Sequence, residues 1–109
     1  MILIFKYIIP NNYCGLTIYP FIFLKNKTLK KDEILMNHEK IHLKQQLELL
    51  WIFFFIWYFT EYLVRVIQYK NHYLAYKNIS FEKEAYQSEG NLAYLNNRKS
   101  FNFIFYFKL

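Results

Sequence analysis

The chain has 109 residues, enough for one domain (1–109) with a modest core and little room for a second. It is 55% hydrophobic and 23% aromatic, with only 2 Gly and 2 Pro, and carries a formal charge of +6. Its basic residues are 12 scattered Lys and only 2 Arg, which argues against a nucleic-acid stripe, and a single Cys, Cys14, excludes an internal disulfide.

Residues 1–9 and 16–25 are rich in β-branched and aromatic types, and the turn formers of residues 10–15 lie between them. This pattern predicts an N-terminal β-hairpin. Pro20 has no N–H to give a ladder, so the second strand should lie at an edge or carry a bulge there. The apolar start lacks a basic leader and a small-residue cleavage site, so a cytoplasmic location is expected.

Neither Gly nor Pro occurs from Phe21 to Glu89, so helix should dominate. Residues 26–31 read as a polar connection and Asp32 as an N-cap. A helix is expected from 33 through the fifties, with Ile34, Leu35, Ile41, Leu47, Leu50 and Phe54 at roughly helical spacing. A second stretch covers about 61–70, and residues 69–72 suggest a break. A third helix is expected over 81–97 with Ser80 as its N-cap. The tail from Phe101 reads equally as strand or helix. The aromatic block from Trp51 to Phe59 is expected to be core. The apolar run from Leu49 to Phe59 is too short to span a bilayer, and extending it to Ile67 admits Glu61 and Arg65. Contact with a membrane surface through residues 49–67 stays open. The expected fold is α+β: a short N-terminal β-hairpin packed on an antiparallel arrangement of about three α-helices.

Residues 38–42 read His-Glu-Lys-Ile-His, an H-E-x-x-H pattern. On a helix, positions i and i+4 share a face, so His38 and His42 can aim ring nitrogens at one ion. Zinc accepts imidazole at about 2.0–2.1 Å. Glu39 can stay off the metal and take a proton from water that the ion acidifies. With 3 His and 7 Glu, chance places this pattern in under about 1% of shuffled sequences, so it outweighs an accidental pairing. A third protein ligand is needed. His72, Glu48, Glu61, Glu82, Glu84 and Glu89 are the candidates.

With these residues in place, the chain resembles a gluzincin, a zinc metallopeptidase with two His from H-E-x-x-H and a Glu from a later helix. The run from Asn37 to His42, with Gln45, Gln46 and Glu48 after it, is also similar to that of small bacterial proteins. The gluzincin resemblance implies Glu82 as third ligand, since Ala85 follows it at the family's spacing. Tyr86 departs from the Asp common there, and Glu84 is the runner-up. A reversal near Thr60 would return Glu82 to the histidines, because the outgoing and returning helices nearly match in length at about 1.5 Å per residue. The edge of Leu16–Leu24 could pair with a peptide by strand addition. Gln45 and Glu48 are placed to orient a ligand histidine. His72, Tyr86 and Tyr94 are candidate donors to an oxyanion, with Tyr86 favoured because it lies one turn past Glu82.

The resulting expectation is a zinc-dependent peptidase acting on a peptide or protein. His38, His42 and Glu82 hold the metal, Glu39 is the base and Tyr86 assists. Its rivals are a non-catalytic zinc-binding regulatory or interaction module, and a small membrane-associated protein.

Overall fold

The computed structural model describes residues 2–5, 7, 9 and 13–107. The chain is α+β, with a three-stranded mixed sheet and five α-helices among the described residues. Strands β1 (Ile2–Ile4), β2 (Gly15–Ile18) and β3 (Phe21–Leu24) lie in the order β1-β3-β2. β1 runs parallel to β3, and β2 antiparallel to it with Thr17 opposite Ile22. The expected hairpin between residues 1–9 and 16–25 is therefore corrected. The second segment is itself the hairpin, divided by a turn at Tyr19-Pro20, whose peptide bond is cis. Proline does not continue the ladder here; it marks where the chain reverses. Residues 10–12 of the expected connecting loop lie outside the described residues.

A 3-10 turn over Lys27–Lys31 leads into helix α1 (Glu33–Glu48). Asp32 caps α1 as expected, its side chain accepting from the Leu35 amide at 3.0 Å. The other helices are α2 (Ile52–Tyr69), α3 (His72–Lys77), α4 (Ser80–Ser88) and α5 (Tyr94–Asn97), followed by a 3-10 turn over Asn102–Tyr106. Five helices thus replace the expected three, and the expected helix over 81–97 is two, α4 and α5.

The first helix does not run through the fifties to reverse at Thr60. It breaks after Glu48, and the two helix axes turn by 112°. Leu50 and Trp51 take positive φ at the break, with values of 53° and 45°. No Gly or Pro marks this corner, so local propensity is silent there and tertiary packing fixes the bend. Thr60 lies inside α2. The break at 69–72 occurs as expected, with Lys70 in the left-handed region and the Asn71 side chain capping α3.

One cluster packs Phe54, Ile79, Phe81 and Phe103, with Phe81 ring centroids 4.4 Å from Phe54 and 4.5 Å from Phe103. A smaller one joins Ile22 and Leu24 of the sheet to Met36 of α1. The expected apolar stripe of α1 is only partly internal. Ile41 is buried, but Ile34 and Leu47 are exposed. The buried face of α1 instead carries Asn37, His38, Glu39, His42, Gln45 and Gln46. Within the block Trp51–Phe59, Phe54 alone is fully buried. Trp51, Ile52, Phe53, Phe55, Ile56 and Phe59 face solvent, which corrects the reading of that block as core.

Glu61 ties α2 to the start of α4. Its carboxylate accepts from Arg65 at 3.1 Å, the Ser80 amide at 2.8 Å and the Ser80 hydroxyl at 2.6 Å. Ser80 is therefore the first helical residue, held by Glu61, and not the expected N-cap. Glu61 and Arg65 are both buried. Removing one partner leaves an uncompensated charge, so Glu61→Ala should cost about 3–5 kcal/mol in urea denaturation. The double variant Glu61→Leu/Arg65→Leu should lose clearly less. A single-variant loss under about 1 kcal/mol would mean that the pair does not hold the helices together.

Candidate metal centre

The polar stripe on α1 meets α4 on one side and β2 on the other. Asn37 fixes the α4 side, donating to the carbonyls of Ser88, Glu89 and Asn91 at 3.3, 2.9 and 2.9 Å. Gln46 fixes the β2 side, donating to the Thr17 carbonyl at 2.8 Å and accepting from the Tyr19 amide at 2.6 Å. Side-chain amides suit this work because each carries both a donor and an acceptor. They settle how closely α4 and β2 approach the histidines.

His38, His42 and Glu82 are all buried, and one ligand atom of each lies within 4.8 Å of the others. Glu82 Oε1 is 3.0 Å from His42 Nε2 and 3.4 Å from His38 Nε2. Two ligands of a tetrahedral zinc, each about 2.0–2.1 Å from it, lie about 3.4 Å apart, so these separations suit a shared ion. The three residues could therefore hold a metal.

The hydrogen bonds behind the histidines determine what faces Glu82. Gln45 Nε2 donates to the Phe81 carbonyl at 3.1 Å and to Glu84 Oε1 at 2.9 Å. That fixes its amide, so Gln45 Oε1 accepts from His42 Nδ1 at 2.8 Å. His42 Nε2 then faces the Glu82 carboxylate, where it needs a proton or a cation between them. His38 likewise gives its Nδ1 proton to Glu89 Oε1 at 3.3 Å. Two imidazole Nε2 atoms and one carboxylate oxygen converge, an arrangement that a shared proton or a cation makes favourable. Tyr58 donates to the other oxygen of Glu82 at 2.7 Å, holding Oε1 toward the histidines.

Glu39 is buried beside this group. The Thr17 hydroxyl donates to its Oε1 at 2.6 Å. A Cβ on residue 15 would come 3.1 Å from Glu39 Oε2, so Gly15 lets β2 approach the carboxylate. His38, His42, Glu82 and Glu39 all line one pocket of about 430 Å³. Gly15, Leu16 and Thr17 of β2 form one wall, and Phe54, Phe55, Tyr58, Phe59 and Tyr62 of α2 another.

The remaining candidates are placed as follows. Tyr86 is not among the pocket-lining residues; its ring packs on His38 at 4.4 Å and its hydroxyl bonds that of Tyr76 at 2.8 Å. Tyr76 does reach the pocket, and burial pushes its hydroxyl pKa up. His72 lines the pocket and bonds the Tyr62 hydroxyl. Gln45 meets His42 as expected. Glu48 does not; it pairs with Arg98 at 2.8 Å. Glu84 turns away from the histidines to Arg98, Gln45 and the Tyr94 hydroxyl. Burial alone would raise the Glu84 pKa, but Arg98 and the Tyr94 hydroxyl hold it below the ordinary carboxylate value. Glu89, a candidate third ligand in the sequence, instead stands behind His38 at its Nδ1. Tyr58 and Thr17 were not singled out there, where nothing distinguishes one Tyr among 11 or joins residue 17 to 39.

In the metal-free protein, burial alone would lower the His42 pKa, but Glu82 overrides it and raises it to about 9. Burial works against the Glu82 charge too, yet the histidines hold its carboxyl well below the usual range. A raised histidine stabilises below its unfolded pKa and loses that as pH climbs through the folded value. A depressed carboxyl stabilises above its unfolded pKa and loses that on acidification. The pair should thus contribute most between about pH 4.5 and 6.5, fading as pH rises toward about 9. Thermal midpoints of chelator-treated protein should fall over that upper range. His42→Gln should flatten the fall, and an unchanged slope would show that the pair does not titrate as a unit.

In comparisons with known proteins, the chain matches no family model, no curated protein and no solved structure.

Proposed function

We propose that the chain is a zinc-dependent peptidase of the gluzincin kind. The observation that carries this reading is the convergence of His38, His42 and Glu82 with the Glu39 carboxylate in one pocket beside β2. Bound there, zinc would serve as a Lewis acid that polarises a peptide carbonyl and acidifies water.

The chain's own residues do the rest. His38, His42 and Glu82 are the ligands, oriented by Glu89, Gln45 and Tyr58 respectively. Glu39 accepts the proton of the attacking water on its carboxylate and passes it to the leaving amine. Thr17 occupies Oε1 of that carboxylate and so leaves Oε2 for the proton. Tyr76 and His72 face the pocket and are placed to donate to a developing oxyanion, while Tyr86 braces Tyr76 and the His38 ring. A substrate strand pairs with β2 at its Gly15–Thr17 end, since Gln46 already takes the Thr17 carbonyl and the Tyr19 amide.

Among the described residues the candidate metal group has three members. Glu84 is committed to Arg98, and His72, which meets Tyr62 through Nδ1, is not a member of the group. Three protein ligands leave a position for water or substrate, which supports a catalytic site over a closed structural one.

Zinc content by elemental mass spectrometry is the first test. The parent and Glu39→Gln should hold about one zinc per chain, while His38→Ala and Glu82→Ala lose it. Glu39→Gln should reduce hydrolysis of a peptide library by roughly 10²–10⁴-fold. A parent that takes no zinc overturns the reading. Stoichiometric zinc without hydrolysis moves it to a non-catalytic zinc-binding module. Tyr58→Phe should keep the fold and weaken zinc binding about 10–100-fold in competition with a chelating dye. An unchanged affinity would mean that Tyr58 does not position Glu82.

A further inference from the structure

The outward side of α2 carries no Lys, Arg, Asp or Glu. The helix contains one acid and one base, Glu61 and Arg65, and both are buried and paired at 3.1 Å. What remains outside is a stripe at helical spacing that includes Ile52, Ile56, Phe59, Leu63 and Ile67, with Ile67 75% exposed. The C-terminal turn, which packs Phe107 edge-on against Trp57 at the flank of α2, adds exposed apolar surface of its own, with Phe105 74% exposed. At about 1.5 Å per residue, α2 holds this surface over about 27 Å. Soluble monomers rarely leave so large an apolar patch uncovered.

Charge identifies the partner. Glu39, Glu61, Glu82 and Glu84 are buried, and Glu48 and Glu89 pair with Arg98 and His38. Among the described residues the exposed acids are Asp32 and Glu33, set against exposed Lys27, Lys30, Lys31, Lys40, Lys44, Lys70 and Lys99. Lys70 directly follows α2, and Lys99 lies just before the C-terminal aromatic turn. A second copy of this chain would bring the same cationic surface and be repelled; an anionic lipid headgroup would be attracted. Trp51 and Tyr69 stand exposed at the two ends of α2, the residue types that favour the headgroup level. No single helix of the described residues is long and apolar enough to cross a bilayer. The Glu61–Arg65 pair beneath α2 suits contact from one side only.

We propose that α2 lies in the plane of an anionic bilayer surface, its outward stripe sunk among the acyl chains and the lysines at the phosphates. Phe55 and Phe59 belong both to this exposed face and to the wall of the metal-centre pocket, so the pocket opens beside the lipid. If the peptidase reading holds, its substrate is an apolar peptide segment held at the membrane surface. The lipid contact itself does not depend on zinc.

The test is co-sedimentation with vesicles of phosphatidylcholine and phosphatidylglycerol in a three-to-one mixture, against vesicles of phosphatidylcholine alone. Zinc-supplied and chelator-treated proteins are compared. Both should bind the mixed vesicles, and more weakly as salt is raised. Ile56→Asp/Ile67→Asp, which avoids every metal-centre residue, should weaken binding about a hundredfold, the factor for two buried Ile at about 1.5 kcal/mol each. Circular dichroism reports whether that variant folds. Brominated acyl chains should quench the tryptophan fluorescence of the unaltered protein, which keeps the test open should the variant unfold. Absence of binding and quenching by folded parent overturns the proposal. So does equal binding by the folded double variant, or a parent dimer that the variant dissociates in analytical ultracentrifugation. A parent that binds vesicles yet takes up no zinc when zinc is supplied would refute the peptidase reading and leave this one standing.

Discussion

The structure depends on a stripe of polar side chains that α1 buries. Asn37, His38, Glu39, His42, Gln45 and Gln46 leave water, and each must find partners or cost several kcal/mol. That requirement recruits the rest of the chain. β2 supplies Thr17 and its backbone to Glu39 and Gln46. α4 supplies Glu82, Glu84 and its carbonyl end. The apolar clusters stabilise the assembly without regard to direction, whereas these polar contacts fix the register of α1 against its neighbours.

Two carboxylates two residues apart on α4 therefore do different work. Glu82 faces Nε2 of both imidazoles and the Tyr58 hydroxyl. Glu84 is neutralised by Arg98 and bonded to Gln45, so it holds α1, α4 and the segment after α5 together. Gln45 touches both systems, joining His42 to Glu84 through one amide. The orientation of the metal group is thus tied to the buried ion pair behind it, and loosening one should loosen the other.

Drawing the acids inward has a consequence at the surface. Most of the acidic residues balance buried partners, so the exterior is left to lysine and to uncharged α2 residues. The 112° corner after α1 turns α2 so that Phe54 and Tyr58 point to α4 while Ile56 and Ile67 point away. One helix serves as pocket wall and as apolar outer face, and the two meet at Phe55 and Phe59.

The sequence by itself determined the chemistry on α1. His38 and His42 share a face because i and i+4 do so on any helix, Glu39 follows beside them, and Asp32 starts that helix through a contact three residues away. The α+β class and the break near Asn71 were legible for the same local reason. The third member of the metal group was nominated only through a family resemblance, since a 40-residue separation leaves no periodic trace. The sheet was misread because Pro20 turns the chain and β1 pairs with β3 in parallel, a choice set by long-range packing. The corner at Leu50 and Trp51 left no signal, since neither residue favours positive φ; beyond it Phe54 packs against Phe81 and Phe103. Apolar composition alone could not say which face of α2 is covered. Tertiary structure decided that, because α4 and the C-terminal turn cover one side and leave the other bare.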